Sequence, residues 1–296
     1  MKALYKVLFS CLSAAVLCIG LSGCGSHKKT TAPVASEQPQ AVTERSLETD
    51  FRLMTQSYTP WQSVSVPVKV RLTEPRRASL SGTLNMEYDK ALELNLRMFF
   101  MDALTIYADN VSVIILSKPL DVYYITSMED FTDRTGLDLR DLQSLLLGQV
   151  FKPGSGTATA ETLDYFILTS DPGSTGGDIA TMDIRPRRTM PGVEWFFRST
   201  VAAMDKEATP RLSMLDINVG QTHFQGVFDD YFQSAAGIVA GNLAISGQVK
   251  SHRIAASIVS DPNRAKWNNG AAAREPKIPE GMRRMTTEQI FKALKQ

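Results

Sequence analysis

The residue types that catalyse reactions or bind metals are present in this chain of 296 residues, but their spacing gives them little to do together. Histidine occurs three times, at His27, His223 and His252, and none stands at a metal-ligand separation from Cys, another His or a carboxylate cluster. Gly154-Ser155-Gly156 sets a serine between glycines. A nucleophile elbow needs Gly-x-Ser-x-Gly on a strand-to-helix turn, whereas this triplet follows Pro153 in what reads as a loop. Asp229 and Asp230 are adjacent carboxylates beside Tyr231 and Phe232, with no partner base, and read as solvated turn residues. Arg185, Arg187 and Arg188 flank Pro186 and read as a solvated loop rather than an anion site. The stretch from Asp171 to Asp178 (DPGSTGGD) is Gly-rich but lacks the Lys-Ser/Thr of a phosphate loop. The expectation is a protein that is not an enzyme, with no catalytic residue, no metal and no cofactor.

Cys24 is the exception. Lys2 and Lys6 make a basic start, and Leu8 to Leu21 is an apolar run too short to span a bilayer comfortably, so residues 1–23 read as a signal peptide. The run ends in Leu21-Ser22-Gly23-Cys24, which resembles a bacterial lipobox; an ordinary secretory signal beside an incidental cysteine is the alternative. The lipobox implies cleavage before Cys24 and acylation of its thiol and new amino group. Cys11 and Cys18 would leave with the signal, so the mature chain has neither disulfide nor Cys-based metal site. A free thiol in an oxidising compartment is a liability that a thioether removes. Two or more acyl chains hold a protein stably where one does not, so the expected partner is the membrane, through lipid on Cys24.

Without Lys2 and Lys6, 30 basic residues face 31 acidic ones. No basic excess is left to hold nucleic acid or to pull the body onto an anionic surface. Residues 24–43 are polar and poor in aromatics and read as a flexible tether, leaving 44–296 as the folded domain.

The elements of that domain follow from periodicity. Leu47, Phe51, Met54 and Tyr58 fall at helical spacing. Val64, Val66, Val68, Val70 and Leu72 then alternate with polar residues, a strand that Pro67 places at an edge or a bulge. Further alternating runs cover Ala78–Tyr88, Leu92–Met98, Leu104–Ala108, Val111–Leu116 and Val122–Ile125, with short turns between them: an antiparallel meander. A Leu-rich helix interrupts it, with Asp138 as N-cap, Asp141 three residues on and Gly148 after its end. Strands resume at Leu163–Ile167, Ile179–Ile184, Val193–Thr200, Leu212–Val219, Leu243–Lys250 and Arg253–Val259, and a short helix over Thr286–Leu294 closes the chain. Ser234–Ala240 can be a strand or a turn.

One stretch breaks the alternation. Met98, Phe99, Phe100 and Met101 are consecutive, and successive strand residues face opposite ways. Met98 and Phe100 would continue the inward face, leaving Phe99 and Met101 outside as a tip, or packed beneath a helix.

The lipobox and tether, SYTPWQSVSVPVKVRL, FFMDALTIYADNVSVIILSKPLDVYYI, LDLRDLQSLLLG and PKIPEGMRRM, in that order, resemble the outer-membrane lipoprotein receptor LolB, its soluble partner LolA, and LolB-like lipoproteins of unknown function. The resemblance implies an α+β, mostly β fold: a curved, incomplete antiparallel barrel whose helices cover an apolar cavity. It implies cavity lining by Leu84, Leu94, Leu96, Leu142 and Leu146, and a membrane- or ligand-contact tip at Phe99, Phe100 and Met101. Where the family usually has a Pro-Leu-Gly-like turn, this sequence has Phe99-Phe100-Met101-Asp102. Gly25, in place of the Asp of inner-membrane lipoproteins, implies the outer membrane, and the tether lacks the acidic cluster of surface-displayed ones, so the domain would face the periplasm. The function so implied is binding of acyl chains or another hydrophobic ligand, in lipoprotein or lipid transfer to the outer membrane. A structural or assembly lipoprotein docking a protein partner is the alternative, and the same side chains could also fill a solid core.

Overall fold

Along the first strand Val64, Val66, Val68, Val70 and Leu72 are buried while Lys69 and Arg71 are exposed, and the same two-residue rhythm sets one apolar face on most strands that follow. The computed structural model describes residues 46–74, 77–170, 179–202, 208–220, 222–249, 252–270, 272–286 and 289. Cys24, the signal peptide, the tether, the whole Gly-rich loop 171–178 and most of the expected terminal helix lie outside the described residues.

The first element among the described residues is helix α1 (Leu47–Gln56), capped by Ser46, whose Oγ accepts from the Thr49 amide at 3.2 Å. Six antiparallel strands follow as a meander: β1 (Ser63–Glu74), β2 (Ala78–Glu87), β3 (Ala91–Met98), β4 (Met101–Asp109), β5 (Ser112–Ser117) and β6 (Val122–Ser127). Two short helices, α2 (Met128–Thr135) and α3 (Leu139–Leu146), separate them from the rest. After the small hairpin of β7 (Phe151–Lys152) and β8 (Gly156–Thr157) come a 3-10 turn (Ala160–Tyr165), β9 (Phe166–Ser170), β10 (Ile179–Pro186), β11 (Val193–Ala202), β12 (Arg211–Val219) and β13 (Thr222–Asp229). A second small hairpin, β14 (Phe232–Ser234) and β15 (Gly237–Val239), leads into β16 (Asn242–Val249) and β17 (His252–Ser260), followed by β18 (Lys266–Trp267) and β19 (Arg283–Arg284).

Fifteen strands form one sheet in the order β19-β6-β5-β4-β3-β2-β1-β17-β16-β13-β12-β11-β10-β9, with β18 beside the start of β1. Its two ends, β19 and β9, do not pair, so the sheet curls without closing. This is the incomplete antiparallel barrel that the resemblance implies. The three α-helices among the described residues lie against its apolar face. Phe51 of α1 packs on Phe166 of β9 with ring centroids 5.4 Å apart.

Several expectations are corrected. Pro67 lies neither at an edge nor in a bulge, because β1 sits in mid-sheet between β2 and β17. The Pro67 carbonyl accepts from the Asp261 amide, so its missing N–H faces that same side, where β17 has ended at Ser260 and β18 begins two rungs away. No ladder bond is lost there. Helix α2 was not expected, although Ser127 caps it through the Asp130 amide and Gly136 ends it at φ +73°, a conformation favouring glycine. The strand expected from Leu163 starts only at Phe166. The segment before it is 3-10, so Phe166 is buried and Ile167 exposed, the reverse of the expected parity. Strand β13 was also missed, and Ser234–Ala240 resolves into a hairpin.

Candidate functional site

The apolar face of the meander is not filled. Between it and the helices lies a cavity of about 190 Å³, and every side chain lining it is apolar. The floor is Val70, Leu72, Leu80, Leu92, Leu94, Leu96, Leu104, Ile106, Ala108, Val113 and Ile115 of β1–β5. One flank is Ile245, Ala256 and Ile258 of β16 and β17, and the roof is Phe131 of α2 with Leu142, Leu145 and Leu146 of α3. Of the expected lining residues, Leu94, Leu96, Leu142 and Leu146 meet here. Leu84 does not line the void; it sits buried in the core on the rung between Val66 and Leu94. The flank and Phe131 were not foreseen, because they come from elements far away in sequence or, like α2, unrecognised.

Helix α3 explains why the space stays open. Its leucine stripe, Leu142, Leu145 and Leu146, is only half-buried, whereas Asp141, Gln143 and Ser144 are fully buried. The helix is therefore held by its polar side. Gln143 donates through Nε2 to the carbonyls of Glu87 (2.7 Å) and Ala91 (3.2 Å), and its Oε1 accepts from the Asp89 amide at 3.1 Å. That clasp ties α3 to the β2–β3 turn.

Asp141 supplies the second attachment. It completes a capping box with Asp138 and also accepts from the amides of Gly154 (2.6 Å) and Gly156 (2.9 Å) in the β7–β8 turn. The Gly-Ser-Gly triplet is thus a backbone cradle for a carboxylate. Burial, reinforced by the nearby charge of Asp138, pushes the Asp141 carboxyl up to about 6, against the lowering effect of those amides. Ser144 completes the set, its hydroxyl 2.7 Å from that of Thr157. With its polar groups satisfied, α3 needs no partner for its leucines, and none fills the space beneath them.

The second feature stands just beyond the cavity. Leu96 pairs with Leu104 in the last regular rung of β3–β4; then Ala103 is bulged, Arg97 pairs with Asp102, and Phe99-Phe100 form the two-residue turn. Phe99 is 84%, Phe100 100% and Met101 54% exposed. The bulge and turn overturn the expected parity: Phe100 does not join Met98 on the inward face, and none of the three packs under a helix among the described residues. Phe99 holds φ +56°, a conformation unfavourable for a bulky L-residue, with no buried contact in return. At the base of the turn Asp102 accepts from Arg97 Nε (3.1 Å) and Lys118 Nζ (2.8 Å), and these two cations hold its carboxyl below the usual range.

The polar residues singled out in the sequence are placed apart. His223 bonds Asp216 at 3.1 Å on the outer face, Arg185 stacks on Phe196, and Asp229-Asp230 end β13. Among the described residues no group of three His, Cys, Asp or Glu side chains is placed to hold a metal ion, and no helix is long and apolar enough to cross a membrane.

No family model matches this sequence, and no curated protein does. Among solved structures, the chain is similar to a LolA superfamily protein of Nitrosomonas europaea, at 10% identity over 74% of this chain and 92% of that one, with a TM-score of 0.42. A Vibrio parahaemolyticus domain described provisionally as an outer-membrane lipoprotein-sorting protein is similar at 9% identity over 76% and 93%, with a TM-score of 0.43. A DUF1329 family protein of Desulfovibrio piger is similar at 9% identity over 76% and 95%, with a TM-score of 0.46. The reading of the site does not draw on these likenesses and rests on the cavity and the turn themselves.

Proposed function

We propose that this protein is a lipid-anchored, non-catalytic carrier that binds an acyl chain or a comparable hydrophobic ligand. It would act in lipoprotein or lipid transfer at the outer membrane, held there through acylated Cys24 with the domain facing the periplasm. One observation carries the ligand reading: a roof helix fixed by its buried polar residues turns its leucines to an unfilled, wholly apolar space. Such cavities stay dry and accept apolar guests, and one of about 150 Å³ takes a benzene-sized molecule. At about 190 Å³ this one is below the roughly 300–1,000 Å³ of pockets for drug-sized ligands. It suits a segment of one chain, and a larger guest requires α2 and α3 to lift. A lining without a polar side chain offers no group for acid–base or nucleophilic chemistry. Phe99, Phe100 and Met101, at the second rung past the cavity and the turn beyond it, are the surface that meets lipid.

Mass spectrometry of lipid co-purified with the protein, together with uptake of a fluorescent fatty acid, tests this. Recovery of acyl lipid at near-equimolar amount is the expected result. Empty protein that also takes up no probe would remove the carrier reading and leave a structural lipoprotein that docks a protein partner.

A further inference from the structure

Net charge near zero conceals a separation along the barrel axis. Because neighbouring strands are antiparallel, the β1–β2, β3–β4, β5–β6 and β16–β17 connections all lie at one end, the end of the Phe99-Phe100 turn. Exposed Arg77, Arg97, Lys118 and Arg253 stand there, with Arg283 of β19 beside the start of β6. The carboxylates of these connections are Glu74, Asp102 and Asp121, and Asp102 is shared by two of the cations. At the opposite end stand Asp89, Asp109, Glu129, Asp130, Asp133, Asp138, Asp229 and Asp230, against Lys90, Arg134, Arg140, Arg211 and Lys266, with Arg140 reaching Asp89 at 3.6 Å and Asp138 at 3.1 Å. That acidic end is also where the Gln143 clasp holds α3 and where hairpin β14–β15 bonds back to Leu147 and Thr59 through Ala240 and Ala236.

We propose that the basic end is a docking face for anionic phospholipid, on which Arg77, Arg97, Lys118 and Arg253 take headgroup phosphates while Phe99, Phe100 and Met101 enter the acyl layer. The arrangement matches what a charged bilayer asks for: an apolar wedge that sinks about 5–10 Å, and cations at headgroup depth around it. Asp102 keeps Arg97 and Lys118 at the root of the wedge without cancelling both charges. Repulsion of the acidic end from the same surface sets the barrel axis upright, with Leu72, Leu80, Leu96 and Leu104 of the cavity on the membrane side. This rests on the reading that the turn meets lipid, and adds the headgroup chemistry and the orientation.

The test uses the full chain as the cell makes it, reconstituted in vesicles of phosphatidylcholine alone or with phosphatidylglycerol. An environment-sensitive fluorophore is placed at Phe99→Cys or, as a control at the acidic end, at Val111→Cys, a site 76% exposed. The Phe99 label is expected to shift in phosphatidylglycerol vesicles far more than in phosphatidylcholine, and the Val111 label to stay silent. Each of Arg77→Gln, Arg97→Gln, Lys118→Gln and Arg253→Gln should lower the buried-to-free ratio about fivefold, following the roughly 1 kcal/mol that one such cation contributes near an anionic surface. Asp102→Asn, which frees both of its partners, should raise it. Equal shifts in both vesicle types, or a ratio indifferent to these substitutions, would overturn the headgroup proposal while leaving the turn as a lipid contact. Silence in both vesicle types would overturn the turn's lipid contact and the proposal together, and point to a protein as the occupant of this face.

Discussion

Phe99 shows how a single side chain can be legible in type and illegible in direction. Its neighbours mark an apolar run where a turn belongs, which sequence alone reveals. Whether the run faces in or out depends on the bulge at Ala103, which moves the register of β4 by one residue and so exchanges the two faces. Since Phe99 adopts φ +56° without packing, Phe99→Gly should raise stability by about 1 kcal/mol in denaturant titration. Phe99→Ser with Met101→Ser should likewise leave the melting temperature nearly unchanged while removing the vesicle signal. A loss of several kcal/mol, typical of buried aromatics, would mean that these residues are packed. In the cavity, Leu142→Trp should fill much of the void and cut fatty-acid uptake tenfold or more. Unaltered uptake with a folded variant would place the ligand elsewhere.

Helix α3 is the element on which the site depends, and only part of its design is local. The cap at Asp138 and the leucine stripe are written at helical spacing. That the stripe faces a hollow, and that Asp141 and Gln143 are the buried side, depends on the β2–β3 turn 52 to 56 residues upstream and on the Gly154 and Gly156 amides downstream. Gln143→Ala leaves two carbonyls and an amide without this partner and should cost about 1–3 kcal/mol. The pH response follows from Asp141. Its folded value, about 6, lies above the ordinary 3.8, so the folded state binds the proton more tightly than the unfolded one. Ionisation of this group therefore costs stability as pH rises from about 4 to 6, and the cost is constant above that. Compared with Asp141→Asn, the native chain should gain relative stability on acidification from pH 7 to 4, on the order of 2 kcal/mol. A difference that stays flat across that window would show that the carboxylate is not strained by burial.

At the scale of the molecule, the described residues form an open sheet of fifteen strands with three short α-helices, more apolar wall than roof. A cavity is the geometric remainder, and it lies two rungs from the exposed turn, so that under the proposed function storage and delivery of a ligand would share one end of the barrel. The curved, incomplete antiparallel barrel expected from the ordered motifs is the architecture found. The charge separation was hidden from the sequence, where basic and acidic residues are interspersed and nearly equal in number. Antiparallel pairing sorts alternate turns to alternate ends, and only that sorting gathers Arg77, Arg97, Lys118 and Arg253 around the aromatic turn.

The sequence by itself determined the period-two strands, the amphipathic helices α1 and α3, the Asp138 cap and the apolar run Met98–Met101, because each is a pattern among near neighbours that local geometry enforces. Tertiary structure alone decided the bulge, the inward direction of α3's polar residues, the absence of Leu84 from the cavity wall and the alignment of cations at one end. Those depend on which distant backbone groups meet, and on how much space remains when they do.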